Sequence, residues 1–236
     1  MADGIHIRMT KKDADKLLWI LLLFEVFLVV VFVGDALLDV QSPIHKLFNL
    51  DSEATLPAWF SSLQLGLVGV IFLAVWVGVP EREPGLRQFL LLVGLGFLFL
   101  SMDEAAEFHE KLTRVLRHVD WLPQFKGGIW IPIYLSVAAC VGWFTRRTIG
   151  GLCKNRPLEM VFMLSGLALI IVGSVALEIL THMFWKDGQN PALYKIEVIL
   201  EEFFEMAGAS VLLYGTILFA LRNHHTLSDE SGANAE

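Results

Sequence analysis

Long apolar runs separated by short polar stretches dominate the chain. Six of them occupy roughly 17–40, 57–79, 88–108, 128–145, 158–184 and 196–221. About 20 residues at 1.5 Å each cross the hydrocarbon core of a bilayer, so each run predicts one membrane-spanning helix. The expected fold is therefore all-α, an integral membrane bundle of six transmembrane helices over 17–222. A short segment, 1–16, precedes the bundle, and a polar tail, 223–236, is expected to be disordered.

Composition supports this pattern. Hydrophobic residues make up 55% and charged residues 18%, and mean hydropathy is +0.60, against roughly 25% charged in soluble domains. The net charge is −7 and no basic patch is present, so nucleic acid is not an expected partner; the lipid bilayer is. Cys140 and Cys153 form neither a CxxC pair nor a disulfide framework. The first run is too long for a signal-peptide core, and "GDALLDV" lacks a small-x-small cleavage site, so it reads as a retained anchor.

Orientation follows from Lys and Arg. Arg8, Lys11, Lys12 and Lys16 hold the amino-terminal segment in the cytoplasm, and with six spans the 80–87 loop, the 146–157 loop and the tail join it. Eleven of the eighteen Lys and Arg then fall inside. Both termini are expected to be cytoplasmic and the location the cell membrane, the inner membrane in a bacterium. Trp19, Trp76 and Trp143 mark inner ends of spans, and Trp59, Trp130 and Trp185 outer ends, as interfacial indoles do.

The acids within the spans follow the same alternation. Asp35 and Asp39 come late in the first span, Asp103, Glu104, Glu107 and Glu110 late in the third, and Glu178 and His182 late in the fifth. Glu197, Glu201, Glu202 and Glu205 come early in the sixth, and Gln64 lies in the outer half of the second. These positions describe one layer roughly 5–15 Å below the outer surface. Glu25 lies deeper, within about 40° of Asp39 around its helix. With Asp103 at 0° on a straight helix, Glu110, Glu107 and Glu104 fall at about 340°, 40° and 100°. His109 falls at about 240°, so it turns away unless the helix is bent or bulged.

Ordinary structural roles compete with a site at the edges of this layer. Glu110 neighbours Lys111, Arg114 and Arg117, which suits interfacial ion pairing; Glu197 suits a helix amino terminus. A lone histidine such as His182 is usually solvated or hydrogen-bonded. Deeper acids resist that reading, because an ionised acid at mid-membrane costs about 2.5–3.5 kcal/mol on insertion scales. No matching intramembrane Lys or Arg accompanies them.

The leading expectation is a divalent transition-metal centre (iron, manganese or zinc, one or two ions). Its ligands are drawn from Glu104, His109, Glu110, Glu178, His182, Glu201 and Glu205. Asp35, Asp39, Gln64, Asp103, Glu107, Glu202 and Glu25 would support those ligands or relay protons. Glu178 and His182 are spaced Glu-x-x-x-His, not the Glu-x-x-His of ferritin-like bundles, and the His boxes of membrane desaturases are absent. With a metal the chain reads as an oxidoreductase or hydrolase acting on a lipid or quinone-like substrate. Ion transport, as a proton- or cation-translocating transporter or channel using the same acids, is the runner-up. A sensor or an accessory subunit of a membrane complex is the third reading. Gly66, Gly69, Gly94, Gly96, Gly166, Gly173 and Gly208 allow close packing within the chain or in a homo-oligomer.

Three stretches, "SMDEAAEFHEKL", "GSVALEIL" and "EEFFEMAGA", together resemble a pattern found in small uncharacterised bacterial multi-pass membrane proteins. The resemblance covers the third to sixth spans and carries no activity. It implies that Asp103, Glu104, His109, Glu110, Glu178, Glu201, Glu202 and Glu205 form one set.

Overall fold

The computed structural model describes residues 9–38, 46–52, 54–119, 128–184 and 191–233, and its secondary structure is helical throughout. Helix α1 spans Lys11–Leu38, α2 Leu56–Gly78, α3 Pro84–Ala106, α4 Phe108–Leu116 and α5 Trp130–Asn155. Helix α6 runs Pro157–Ile171, passes through a π-helical segment, Val172–Leu177, and ends as Glu178–Phe184. Helix α7 is Pro191–Ala233.

Local chemistry explains where these helices start. The Asp13 carboxylate accepts from the Thr10 backbone N–H at 3.0 Å, and Thr10 Oγ1 accepts from the Asp13 N–H at 3.3 Å. This reciprocal cap opens α1 six residues earlier than the expected 17. A proline in the first turn opens α2, α3 and the first segment of α6, where its missing N–H costs nothing. Two expectations change. Helix α5 runs through most of the expected 146–157 loop, because Gly150 and Gly151 alone do not stop a nucleated helix and Pro157 restarts one. Helix α7 continues to Ala233, so the polar tail expected to be disordered is helical as far as that residue.

Five helices or helical stretches are long and apolar enough to cross a membrane: Lys11–Leu38, Leu56–Gly78, Pro84–Ala106, Pro157–Leu180 and Leu193–Asn223. Trp19, Leu23, Val30, Val70, Val77, Phe144 and Val161 are exposed on the outside of the bundle, where lipid and not water suits them. The polar groups Glu25, Gln64, Asp103, Glu197, Ser210 and Thr216 are buried instead.

Helix α7 is the axis. Its apolar stretch is 72% buried, against 17% for α1, and it packs on α1, α2 and α6. Helices α2 and α3 form the most extensive pair, tied by Ser62 and Ser101, each hydroxyl donating to the other's carbonyl at 2.7 Å. Between α6 and α7 the backbones nearly touch: a Cβ on Gly166 would lie 2.6 Å from the Gly208 carbonyl oxygen, and one on Gly208 2.7 Å from that of Gly166. Helix α5 lies against α3 and α6. The main core gathers Val68, Phe72, Leu90, Leu212 and Phe219 below the polar layer. At the other end from that layer, Arg222 pairs with buried Glu159 at 3.0 Å, and the Tyr214 hydroxyl donates to Asp15 at 2.6 Å.

Candidate functional site

At the end of the bundle where α3 finishes and α7 begins, every helix except α1 contributes to one chamber of about 610 Å³. Asp103 and Glu104 come from α3, His109 and Glu110 from α4, and Glu178 from α6. Helix α7 adds Glu197, Glu201, Glu202 and Glu205, and Asp51 comes from the segment before α2. Arg114 and Arg117 also face it, with Arg114 3.4 Å from Glu110. Apolar liners, among them Leu65, Leu100, Ile170 and Val198, complete the walls.

His109 reaches the chamber because α3 does not continue straight into α4. Glu107, between them, is left-handed at φ 54° and ψ 41°. This break, not a π-bulge, redirects the chain. Asp103 then accepts from the His109 backbone N–H at 2.8 Å, and its other oxygen lies 3.2 Å from His109 Nδ1. One carboxylate thus caps α4 and orients the imidazole whose helix it caps. The ring lies 5.1 Å from that of Trp130, which in turn meets Tyr134 edge-on at 5.4 Å. The Tyr134 phenol interacts with the Asp103 carboxylate.

On the opposite wall, the π-helical segment of α6 lies directly before Glu178. Its Gly173 lets α6 settle on α7, since a Cβ there would stand 2.7 Å from Glu205 Cγ and 2.8 Å from the Glu201 carbonyl. The Glu201 carboxyl is beside those of Glu178 and Glu197. Glu197 is 4% exposed, and among the described residues its oxygens meet no donor, its carboxyl lying against that of Glu201. It is not the helix-terminal anion expected from sequence, because α7 starts six residues earlier at Pro191. Tyr194, also facing the chamber, donates to Asp51 at 2.9 Å.

The remaining candidates lie elsewhere. Glu107 forms the turn itself, and Asp35, Gln64 and Glu25 do not line the chamber. Glu25 and Gln64 meet Ser210 in a separate buried group. His182 is in the last segment of α6, but its side chain, like Asp39 and Trp185, is outside the described residues. Among the described residues, no three His, Cys, Asp or Glu side chains are gathered closely enough to grip one ion as they stand.

Trp130, Tyr134, Tyr194, Asp51 and Ser210 join these groups without a sequence signal strong enough to select them. Trp130 read only as an interfacial indole, and Ser210 directly follows "EEFFEMAGA" without a signal of its own.

No curated protein and no solved structure matches the chain. A family model does match residues 20–221, which include every residue that lines the chamber, and the chain accordingly belongs to the family described as Domain of unknown function (DUF8692).

Proposed function

We propose that this is a six-span protein of the cell membrane, with both termini cytoplasmic, whose chamber binds divalent transition metal and with it acts on a lipid or quinone-like substrate. The observation that carries this reading is the meeting of carboxylates from α3, α4, α6 and α7 with His109 around one cavity. The Glu197 carboxyl, buried beside Glu201 and meeting no donor among the described residues, adds to the negative charge that a cation held by its neighbours would neutralise. Mixed carboxylate and imidazole donors suit iron, manganese or zinc.

Glu104, His109, Glu110, Glu178, Glu201 and Glu205 are the ligand candidates. As they stand no three of them are close enough to grip one ion, so binding would require rotation about their side-chain bonds. Bound metal would supply Lewis acidity or redox chemistry. Asp103 fixes the His109 ring and Tyr134 braces Asp103. Apolar walls at Leu65, Leu100, Ile170 and Val198 offer a surface for a hydrocarbon chain. The volume, about 610 Å³, is within the roughly 300–1,000 Å³ of small-molecule sites.

Support for the sixth span comes from α5. Near one end it meets α3 at Tyr134 and Phe99, whose rings are 5.7 Å apart. Near the other, a Cβ on Gly85 would lie 3.1 Å from Thr148 Oγ1. Helix α5 thus runs antiparallel beside a membrane-length helix for about 21 Å.

Elemental analysis of the purified full-length protein tests the metal reading. Stoichiometric iron, manganese or zinc is expected, falling at least about tenfold in Glu201→Gln and Glu178→Gln. Metal-free wild-type protein that moves cations across liposomes would replace it with transport, a reading favoured by the buried polar group beneath the chamber.

A further inference from the structure

Glu25, near the middle of α1, is 0% exposed, and its neighbours Gln64 and Ser210 are 1% and 0% exposed. Glu25 Oε1 accepts from the Ser210 hydroxyl at 2.5 Å and from the Gln64 amide at 3.2 Å. The same amide donates to Ser210 Oγ at 2.6 Å. These contacts join α1, α2 and α7 at one point.

The hydrogen count of this trio is exhausted. The amide brings two hydrogens and the hydroxyl one, and all three are used within the group. Two acceptors remain, Glu25 Oε2 and Gln64 Oε1, both buried and without a hydrogen-bond partner among the described residues. What the group lacks is positive charge. The elements packed on Glu25 present Gln64 and Ser210, neither of them titratable. Glu205, five residues before Ser210 on α7, faces the chamber instead. An ionised carboxylate in a membrane interior needs a compensating charge.

We propose that Glu25, Gln64 and Ser210 form a site for one dehydrated monovalent cation, Na⁺, distinct from the chamber and in competition with a proton on Glu25. The donors are carboxylate, amide and hydroxyl oxygens, a hard set that suits an alkali ion over a transition metal. The charge of −1 is neutralised by one monovalent ion, whereas a divalent ion would leave an excess charge in an apolar core. A proton on Glu25 supplies the same single positive charge, so proton and metal ion exclude one another. Ser61, three residues before Gln64 on α2, lines the chamber, so the two sites are one helical turn apart along α2.

Purified full-length protein in detergent with EDTA, which removes divalent ions from the chamber, tests this by equilibrium binding of radiolabelled Na⁺. Thermal unfolding in NaCl against choline chloride at matched ionic strength gives a second readout. One Na⁺ per chain is expected, bound more weakly as pH falls, with a rise in Tm of about 3 °C or more at saturation. Glu25→Gln, close in shape but uncharged, should abolish both responses. Ser210→Ala should weaken binding about tenfold or more and serves if Glu25→Gln does not fold. No bound Na⁺ in wild-type protein, or binding unchanged in Glu25→Gln or Ser210→Ala, would overturn the proposal. So would a Tm response to choline equal to that for Na⁺. Because EDTA is present throughout, these outcomes are independent of whether the chamber takes a divalent metal.

Discussion

Glu197 holds a carboxylate where folding alone would not place one. Both oxygens are buried and meet no donor among the described residues, against the Glu201 carboxyl on a wall that also carries Glu202 and Glu205. An unsatisfied buried polar group costs about 1–3 kcal/mol, more when charged, a cost that the proposed cation would offset. Glu197→Gln, measured in chelator, is expected to raise Tm by roughly 2–4 °C, because removing the charge but not the buried polar group relieves about 1 kcal/mol, which moves a chain of this size by that much. The same variant should lose metal in elemental analysis. A lower Tm with unchanged metal would show that Glu197 is a structural residue. The residue was visible in the sequence, yet its role was not. Proximity to a helix start supplied an ordinary explanation, which fails because Pro191 moves that start back by more than a turn. Ser210 was hidden differently: its partners are 146 and 185 residues away in sequence, a pairing no helical periodicity reveals.

At the scale of elements, two departures from regular α-helix shape the chamber: the left-handed turn at Glu107 and the π-helical segment before Glu178. Neither was legible. "MDEAAEFHEKL" contains no Gly or Pro and consists largely of good helix formers, so local propensity favours continuation. The break is held by Asp103 capping the His109 N–H and by the His109–Trp130 contact, both of which exist only in the folded chain. A left-handed residue costs about 1–2 kcal/mol in a side chain with a Cβ. Glu107→Gly should therefore leave Tm within about 2 °C or raise it, whereas β-branched Glu107→Val should lower it by roughly 4 °C or more. The Val variant should also shed metal as His109 leaves Asp103. Equal behaviour of the two variants would mean that the turn is not set by backbone geometry at this position. On the facing wall, Gly173→Leu is expected to destabilise by about 1–3 kcal/mol, because its side chain must displace α7 backbone as well as Glu205. Loss of metal in that variant, with Gly173→Ser intermediate, would tie the contact between α6 and α7 to the chamber's shape.

For the whole molecule, the number of spans decides where the ends of the chain lie. The apolar runs located most helices within a few residues, since membrane length and hydrophobicity are properties of sequence alone. They were weakest at α5, where Arg146, Arg147 and Lys154 lie in the second half of a 26-residue helix. An odd number of spans puts the termini on opposite faces, whereas an even number puts them on the same face. The packing of α5 along α3, from Phe99 and Tyr134 to Gly85 and Thr148, favours the even count. Arg146 and Arg147 then lie near the face that holds the start of α3, where Arg82 and Arg87 sit. A fluorescent protein that matures only in the cytoplasm, fused at the carboxyl terminus, should glow, as should one at the amino terminus. Alkaline phosphatase, active only outside, should be active when fused after Val119, just beyond α4. An active phosphatase at the carboxyl terminus, with a fluorescent amino terminus, would establish five spans and move α5 to a membrane surface. The chamber would then keep its α3, α6 and α7 walls but lose the membrane-embedded aromatic wall of Trp130 and Tyr134. The topology assay therefore also tests whether the His109 side of the chamber is enclosed within the bilayer, as a lipid or quinone-like substrate requires.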